Sequence, residues 1–253
     1  MSTLSASPAE GTATQTANRS TRGLARVLVW DAPQRVVHWL MAASFAGAWL
    51  TAESERWRLL HVTLGWTLAG LVLFRIVWGL VGTRHARFTD FVRGPRAVLR
   101  YLGALVRGEP EHHVGHNPAG ALAIVAMLGL GLAIVATGWA TYDNLGGEWL
   151  EEAHELLASL MLAVVGVHVT GVVLASWMHH ENLVAAMWHG RKLGRPEDAI
   201  RSAWRSVAAL VVVAAAGFWA WQWSTAPVAG GAGQQAQVQA DGKAGGDHED
   251  DDD

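Results

Sequence analysis

The chain has 253 residues, of which 51% are hydrophobic and only 16% charged, against about 25% charged in an ordinary soluble domain. It contains no cysteine, which excludes disulfides, thiolate metal sites and cysteine-ligated iron–sulfur clusters. The formal net charge of -3 says little, because acidic and basic residues are segregated along the chain.

Residues 1–28 are rich in Ser, Thr and Ala and read as a disordered N-terminal tail without the apolar core of a signal peptide. Five apolar stretches follow, at about Val36–Ala52, Leu60–Val81, Ala119–Ala140, Ala153–Met178 and Trp204–Trp223. Each approaches the roughly 20 helical residues that a hydrocarbon core requires. The fourteen tryptophans lie mostly in or beside these stretches, where they suit interfacial belts or the walls of a planar ligand.

Charge sets the orientation. Arg19, Arg22, Arg26 and Arg35 precede the first span. Arg84, Arg87, Arg93, Arg96, Arg100 and Arg107 follow the second, and Arg191, Lys192, Arg195, Arg201 and Arg205 follow the fourth. The other loops carry Glu53, Glu55, Asp143, Glu148, Glu151 and Glu152. The positive-inside rule puts the N-terminus in the cytoplasm and the C-terminus on the far side of the membrane. The stretch DFVRGPRAVLRYLGALVRG reads as a basic amphipathic helix on anionic membrane lipid. After the fifth span, residues 225–253 form a Gly/Gln/Ala linker and an acidic run, read as a disordered tail on the outer side. The HEDDDD terminus is a candidate for weak steering of a basic redox protein.

Four histidines, His38, His61, His154 and His168, lie in the spans. One alone would read as a satisfied core residue. His154 and His168 are fourteen residues apart, an advance of about 21 Å that returns to nearly the same helix face. One ion cannot use both, since ligands must converge within about 2 Å of it. His38 matches the depth of His168 in the inner half, and His61 that of His154 in the outer half. The pairs His38–His168 and His61–His154 therefore suit the axial positions of two haem irons, stacked across the membrane between apolar helices. Gly47, Gly65, Gly70, Gly166 and Gly171 would let a flat ring approach the backbone. Arg75, two turns inside the second span, either clamps a haem propionate or snorkels to the interface.

A rival cluster, His112, His113, His116, His179 and His180, resembles the histidine boxes of membrane di-iron enzymes, although the second and third boxes are missing. Asn117 reads as the cap of the third span and Pro118 as its first turn. A haem-free transporter or scaffold is a further alternative. No nucleophile–base set, phosphate loop or nucleic-acid face is visible, and the basic residues follow membrane topology.

The strings WDAPQRVVHW, LFRIVWGLVGTRHARF, GHNPAG and HELLASLMLAVVGVHVTGVVLASWMHHENLVAAMWHGRK together resemble the bacterial cytochrome b561 family, which includes the b-type cytochrome subunit of nickel–iron hydrogenases. The resemblance runs from about Val29 to Lys192. It implies an all-α integral membrane protein, a four-helix core at residues 29–192 holding two haem b through His38, His61, His154 and His168. Residues 193–224 then form a linker and a fifth transmembrane helix outside that core. It also implies electron transfer between the quinone pool and a periplasmic partner, a c-type cytochrome or a hydrogenase, with quinone a further candidate ligand.

Overall fold

Asp31 opens the first long helix. In the computed structural model, which describes residues 25–107 and 114–226, α1 runs Ala32–Thr51 with Asp31 as its N-cap and Pro33 in its first turn. The Gln34 backbone N–H donates to Asp31 Oδ1 at 2.8 Å, satisfying one of the donors a helix start leaves open. A 3-10 turn at Glu55–Trp57 leads into α2, Arg58–Val81.

The basic stretch expected as one helix is two, α3 at Phe88–Phe91 and α4 at Pro95–Val106. Gly94–Pro95 divides them, because a residue before proline avoids the helical region while proline itself suits a first turn. On α4, Val98, Tyr101 and Ala104 are buried while Leu99 and Leu102 are exposed. α5 spans Pro118–Tyr142, capped as expected by Asn117, whose Oδ1 accepts from Gly120 N at 2.7 Å. α6, Glu148–Met178, begins five residues before the apolar run; Glu148 and Glu151 in its first turn complement the positive helix start.

α7 is Leu183–His189 and α8 is Arg205–Thr225. Compact units divide between Ala214 and Ala215, within α8. Of the tails expected at residues 1–28 and 225–253, residues 1–24 and 227–253 lie outside the described residues, while Ala25–Leu28 form a strand and Thr225 ends α8, so neither stretch belongs to a disordered tail.

All five expected spans are helical. Four described segments are long and apolar enough to cross a membrane: Glu55–Val81, Pro118–Tyr142, Glu148–Met178 and Arg205–Thr225. α1, with Gln34, Arg35 and His38 in its first two turns, falls short of that measure. The chain is mostly helical, as expected, and adds a small antiparallel ribbon of β1, Ala25–Leu28, and β2, Arg191–Gly194, with Ala25 opposite Gly194 and Leu28 opposite Arg191. Strands of four residues bring partners together from far apart in sequence, beyond what a periodicity window detects.

The long helices pack in the order α1, α2, α5, α6. Leu68, Val72 and Leu128 form a buried cluster with Met41, Ile76 and Ile124 against it, so α1, α2 and α5 share one core. Leu73, Val77, Leu122 and Val167 remain exposed, as helices facing lipid require. At the end where α1 starts and α2 stops, the ribbon and loops form a polar-edged cap. Gly190 fixes one corner of it. Its φ of 83° is left-handed, its N–H donates to the Ala186 carbonyl, and its own carbonyl accepts from Val29 and Trp30. A Cβ at Gly190 would lie 2.6 Å from the Trp30 carbonyl oxygen, so only glycine fits.

Asp31 ties this cap together. It is fully buried, and its Oδ2 accepts from Trp78 Nε1 at 3.0 Å and from the Thr83 hydroxyl at 2.6 Å. The start of α1 is thereby pinned to the end of α2. Asp31→Ala removes a helix cap and strands two buried donors, and should destabilise the protein by about 2–4 kcal/mol. Unfolding followed by circular dichroism in detergent measures this, and a change below about 0.5 kcal/mol, the range of an ordinary surface substitution, would deny Asp31 that role.

Candidate functional site

The pair expected at the end opposite the cap comes together. His61 sits in the first turn of α2 and His154 in the second turn of α6, and their ring centroids are 6.2 Å apart with planes at 70°. His61 Nδ1 is 2.9 Å from the Ala48 carbonyl oxygen, and His154 Nδ1 is 3.1 Å from that of Ile134. A carbonyl can only accept, so each Nδ1 carries the proton and each Nε2 keeps a free lone pair. Backbone carbonyls commonly orient metal-binding imidazoles in this way. Thr137 reinforces the second contact: its hydroxyl donates to the Ala133 and Ile134 carbonyls and its oxygen lies 3.2 Å from His154 Nδ1. Metal–imidazole bonds of about 2 Å on either side of one ion, plus the ring radii, put two ring centres roughly 6 Å apart. The observed separation fits.

Gly138 makes room for this arrangement. A Cβ there would lie 2.9 Å from His154 Cε1 and 3.2 Å from its Nδ1. The glycines expected to admit a flat ring divide. Added Cβ atoms at Gly65, Gly70, Gly166 and Gly171 meet nothing within 4 Å, whereas one at Gly47 would strike Leu64 Cδ1 at 2.7 Å. Gly47 therefore serves the close packing of α1 on α2 rather than a ligand face.

Toward the cap, His38 on α1 and His168 on α6 are half-buried and within electrostatic reach of each other. His38 packs its ring edge to face on Trp39 at 5.1 Å, and its Nδ1 is buried without a hydrogen-bond partner.

Arg75 does not snorkel. It is only 5% exposed, both terminal nitrogens are buried without a hydrogen-bond partner, and its Cζ lies 5.2 Å from the Phe88 ring centroid and 5.9 Å from that of Phe91. His116 packs between Trp30 and Phe91, each ring centroid 4.5 Å away. Burial, then the nearby Arg75 charge, pushes His116 down to about 3, so it is neutral near pH 7. Beside it, Lys192 pairs with Glu181 at 3.7 Å; burial lowers its pKa and Glu181 opposes that.

The rival histidine cluster does not assemble among the described residues. No group of three or more His, Asp or Glu there could hold a metal ion. His179 caps the end of α6, and His180 follows with a left-handed φ of 50°. His112 and His113 lie outside the described residues.

Several positioning groups were not anticipated from sequence: the Ala48 and Ile134 carbonyls, Thr137, Gly138, and the aromatic set Trp30, Phe88 and Phe91. Only Asp31, followed by Ala32 and Pro33, carries a readable local signal, that of a helix start.

Residues 29–190 match the family model described as prokaryotic cytochrome b561. The probable Ni/Fe-hydrogenase B-type cytochrome subunit of Rhizobium leguminosarum bv. viciae is 27% identical over 218 residues, covering 68% of this chain and 91% of the relative. The protein of the same description from Azotobacter vinelandii is 28% identical over 221 residues, covering 68% and 91%. That from Rhodobacter capsulatus is 25% identical over 235 residues, covering 74% and 89%. No solved structure matches. With its apolar helices, the chain belongs to the prokaryotic cytochrome b561 family, a family of electron-transferring b-type membrane cytochromes, and is a multi-pass membrane protein.

Proposed function

We propose that this chain is a di-haem membrane cytochrome that moves electrons between the quinone pool and a redox protein outside the cytoplasm. The observation that carries the reading is the His61–His154 pair, with both Nδ1 atoms on backbone carbonyls and the rings 6.2 Å apart. His61 and His154 would hold the outer haem, and His38 and His168 the inner one, toward the cap. When bound, haem b supplies one-electron chemistry between ferrous and ferric iron.

The chain's own residues define the rest. Two imidazoles would hold each iron, His61 with His154 and His38 with His168, and full ligation by the protein would favour electron transfer over reaction with oxygen. Ala48 and Ile134 hold the outer imidazoles in one tautomer, so their Nε2 lone pairs stay directed at the site. Arg75 would take a propionate of the inner haem, since a guanidinium matches a carboxylate bidentately. α1 completes the spans, giving five crossings with the N-terminus and the cap cytoplasmic and the C-terminus periplasmic in a bacterial inner membrane; the arginine-rich loops support this orientation.

The outer partner is a c-type cytochrome or a hydrogenase. Relatives described as probable Ni/Fe-hydrogenase B-type cytochrome subunits support the second.

Protein purified in mild detergent should carry two haem b per chain in the pyridine haemochrome assay. His61→Ala or His154→Ala should leave only the inner haem, and His38→Ala or His168→Ala only the outer, told apart by reduced-minus-oxidised spectra; a wild type without haem would overturn the reading. Gly138→Val should displace the His154 ring and lower outer-haem occupancy. Gly129→Val, where an added Cβ meets nothing within 4 Å, should leave haem content unchanged, and equal loss in both variants would show that Gly138 has no special place.

A further inference from the structure

We infer that Arg75 and His116 form one carboxylate clamp at the cap end of the bundle, built to take a propionate of the inner haem. The inference rests on the reading that His38 and His168 hold that haem, and it gives His116 a role. Both residues present buried polar atoms with no hydrogen-bond partner: Nη1 and Nη2 of Arg75, and Nδ1 of His116. They share a wall, since Phe91 lies 5.9 Å from the Arg75 Cζ and 4.5 Å from the His116 ring.

An unpaired guanidinium buried this deeply is costly. Aromatic faces attract the cation but cannot accept its in-plane N–H bonds. The neighbouring acid cannot serve, because Asp31 is occupied by Gln34, Trp78 and Thr83. The other basic neighbours are engaged: Lys192 with Glu181, and His85, whose Nε2 lies 2.8 Å from the Asp198 carbonyl oxygen. Besides His38, whose ring faces the proposed haem, the groups at the cap end with unmet hydrogen-bonding capacity among the described residues are thus the two that meet on Phe91.

Their donors define the missing acceptor. Two parallel guanidinium N–H groups call for two coplanar oxygens, and the Nδ1–H tautomer of a neutral imidazole can reach a remaining lone pair. A carboxylate offers about four such lone-pair sites, whereas a single carbonyl oxygen cannot accept all three donors with good geometry. Position agrees, because His168 lies within electrostatic reach of His116. A carboxylate on the rim of a group held by His168 and His38 would arrive at this clamp.

The test uses purified holoprotein, with haem counted, the propionate-bending band read by resonance Raman, and the inner-haem midpoint potential read by redox titration. His116→Phe keeps the ring packing and removes the donor. Arg75→Gln removes the charge, and Arg75→Lys guards against a variant that fails to fold. Both His116→Phe and the Arg75 variants should shift the propionate band and lower the inner midpoint while the outer haem is unmoved. His116→Asn, with an amide nitrogen near the place of Nδ1, should restore both. Two bound haems with an unshifted band in His116→Phe and both Arg75 variants would overturn the clamp alone. A wild type holding no inner haem would overturn the clamp together with the reading beneath it, and the haem count separates the two failures.

Discussion

The structure depends on one buried carboxylate. Asp31 is inaccessible to solvent, caps α1 through Gln34, and accepts from Trp78 and Thr83 at the far end of α2. Each acceptor contact is short, and each donor would otherwise face an apolar interior, where an unmatched donor costs about 1–3 kcal/mol. Because α1 and α2 are antiparallel neighbours, fixing one start against one end sets their relative depth. That depth places His38 and Arg75 in the same half of the bundle. Around Asp31, Gly190 and the β1–β2 ribbon close the cap by backbone hydrogen bonds, with Glu181 Oε1 accepting from Leu193 N and Arg35 donating to the Trp188 carbonyl.

The same constraint operates at the opposite end with different groups. There the polar atoms that need partners are imidazole nitrogens, and the partners are carbonyls of neighbouring helices. His61 and His154 each spend Nδ1 on a carbonyl, and Thr137 ties its own hydroxyl to the turn that supplies one of them. In a low-dielectric interior such contacts are strong and directional, so the rings are aimed before any ligand arrives. Gly138 contributes only by lacking a side chain, which allows α5 to approach the His154 ring closely.

The two ends differ in how fully their polar groups are satisfied. The outer pair has its second nitrogens engaged, while the cap end retains buried atoms of His38, Arg75 and His116 without hydrogen-bond partners. Buried polar groups are ordinarily paired, and exceptions concentrate where a protein meets a ligand. The asymmetry distinguishes the cap end, whose unpartnered atoms are what the proposed inner haem and its propionate would satisfy.

The sequence by itself determined the five helices, their order, and the likeness to one family, because apolar runs, cap residues and charge-biased loops are local signals. It singled out four span histidines: counting about 1.5 Å per residue set His154 and His168 at two depths, and the place of His61 at the outer start of the second span matched it to His154. Tertiary structure alone decided what those residues touch. The β1–β2 ribbon joins strands of four residues from distant parts of the chain, and α6 starts earlier than its apolar run because its glutamates suit a helix N-terminus. Whether Arg75 snorkelled or was buried turned on Phe88 and Phe91, which arrive from a separate short helix. That Gly138 rather than Gly47 yields space to a histidine depended on which faces of α1, α2, α5 and α6 oppose each other. Periodicity reports that a residue points inward; only packing between helices reports toward what.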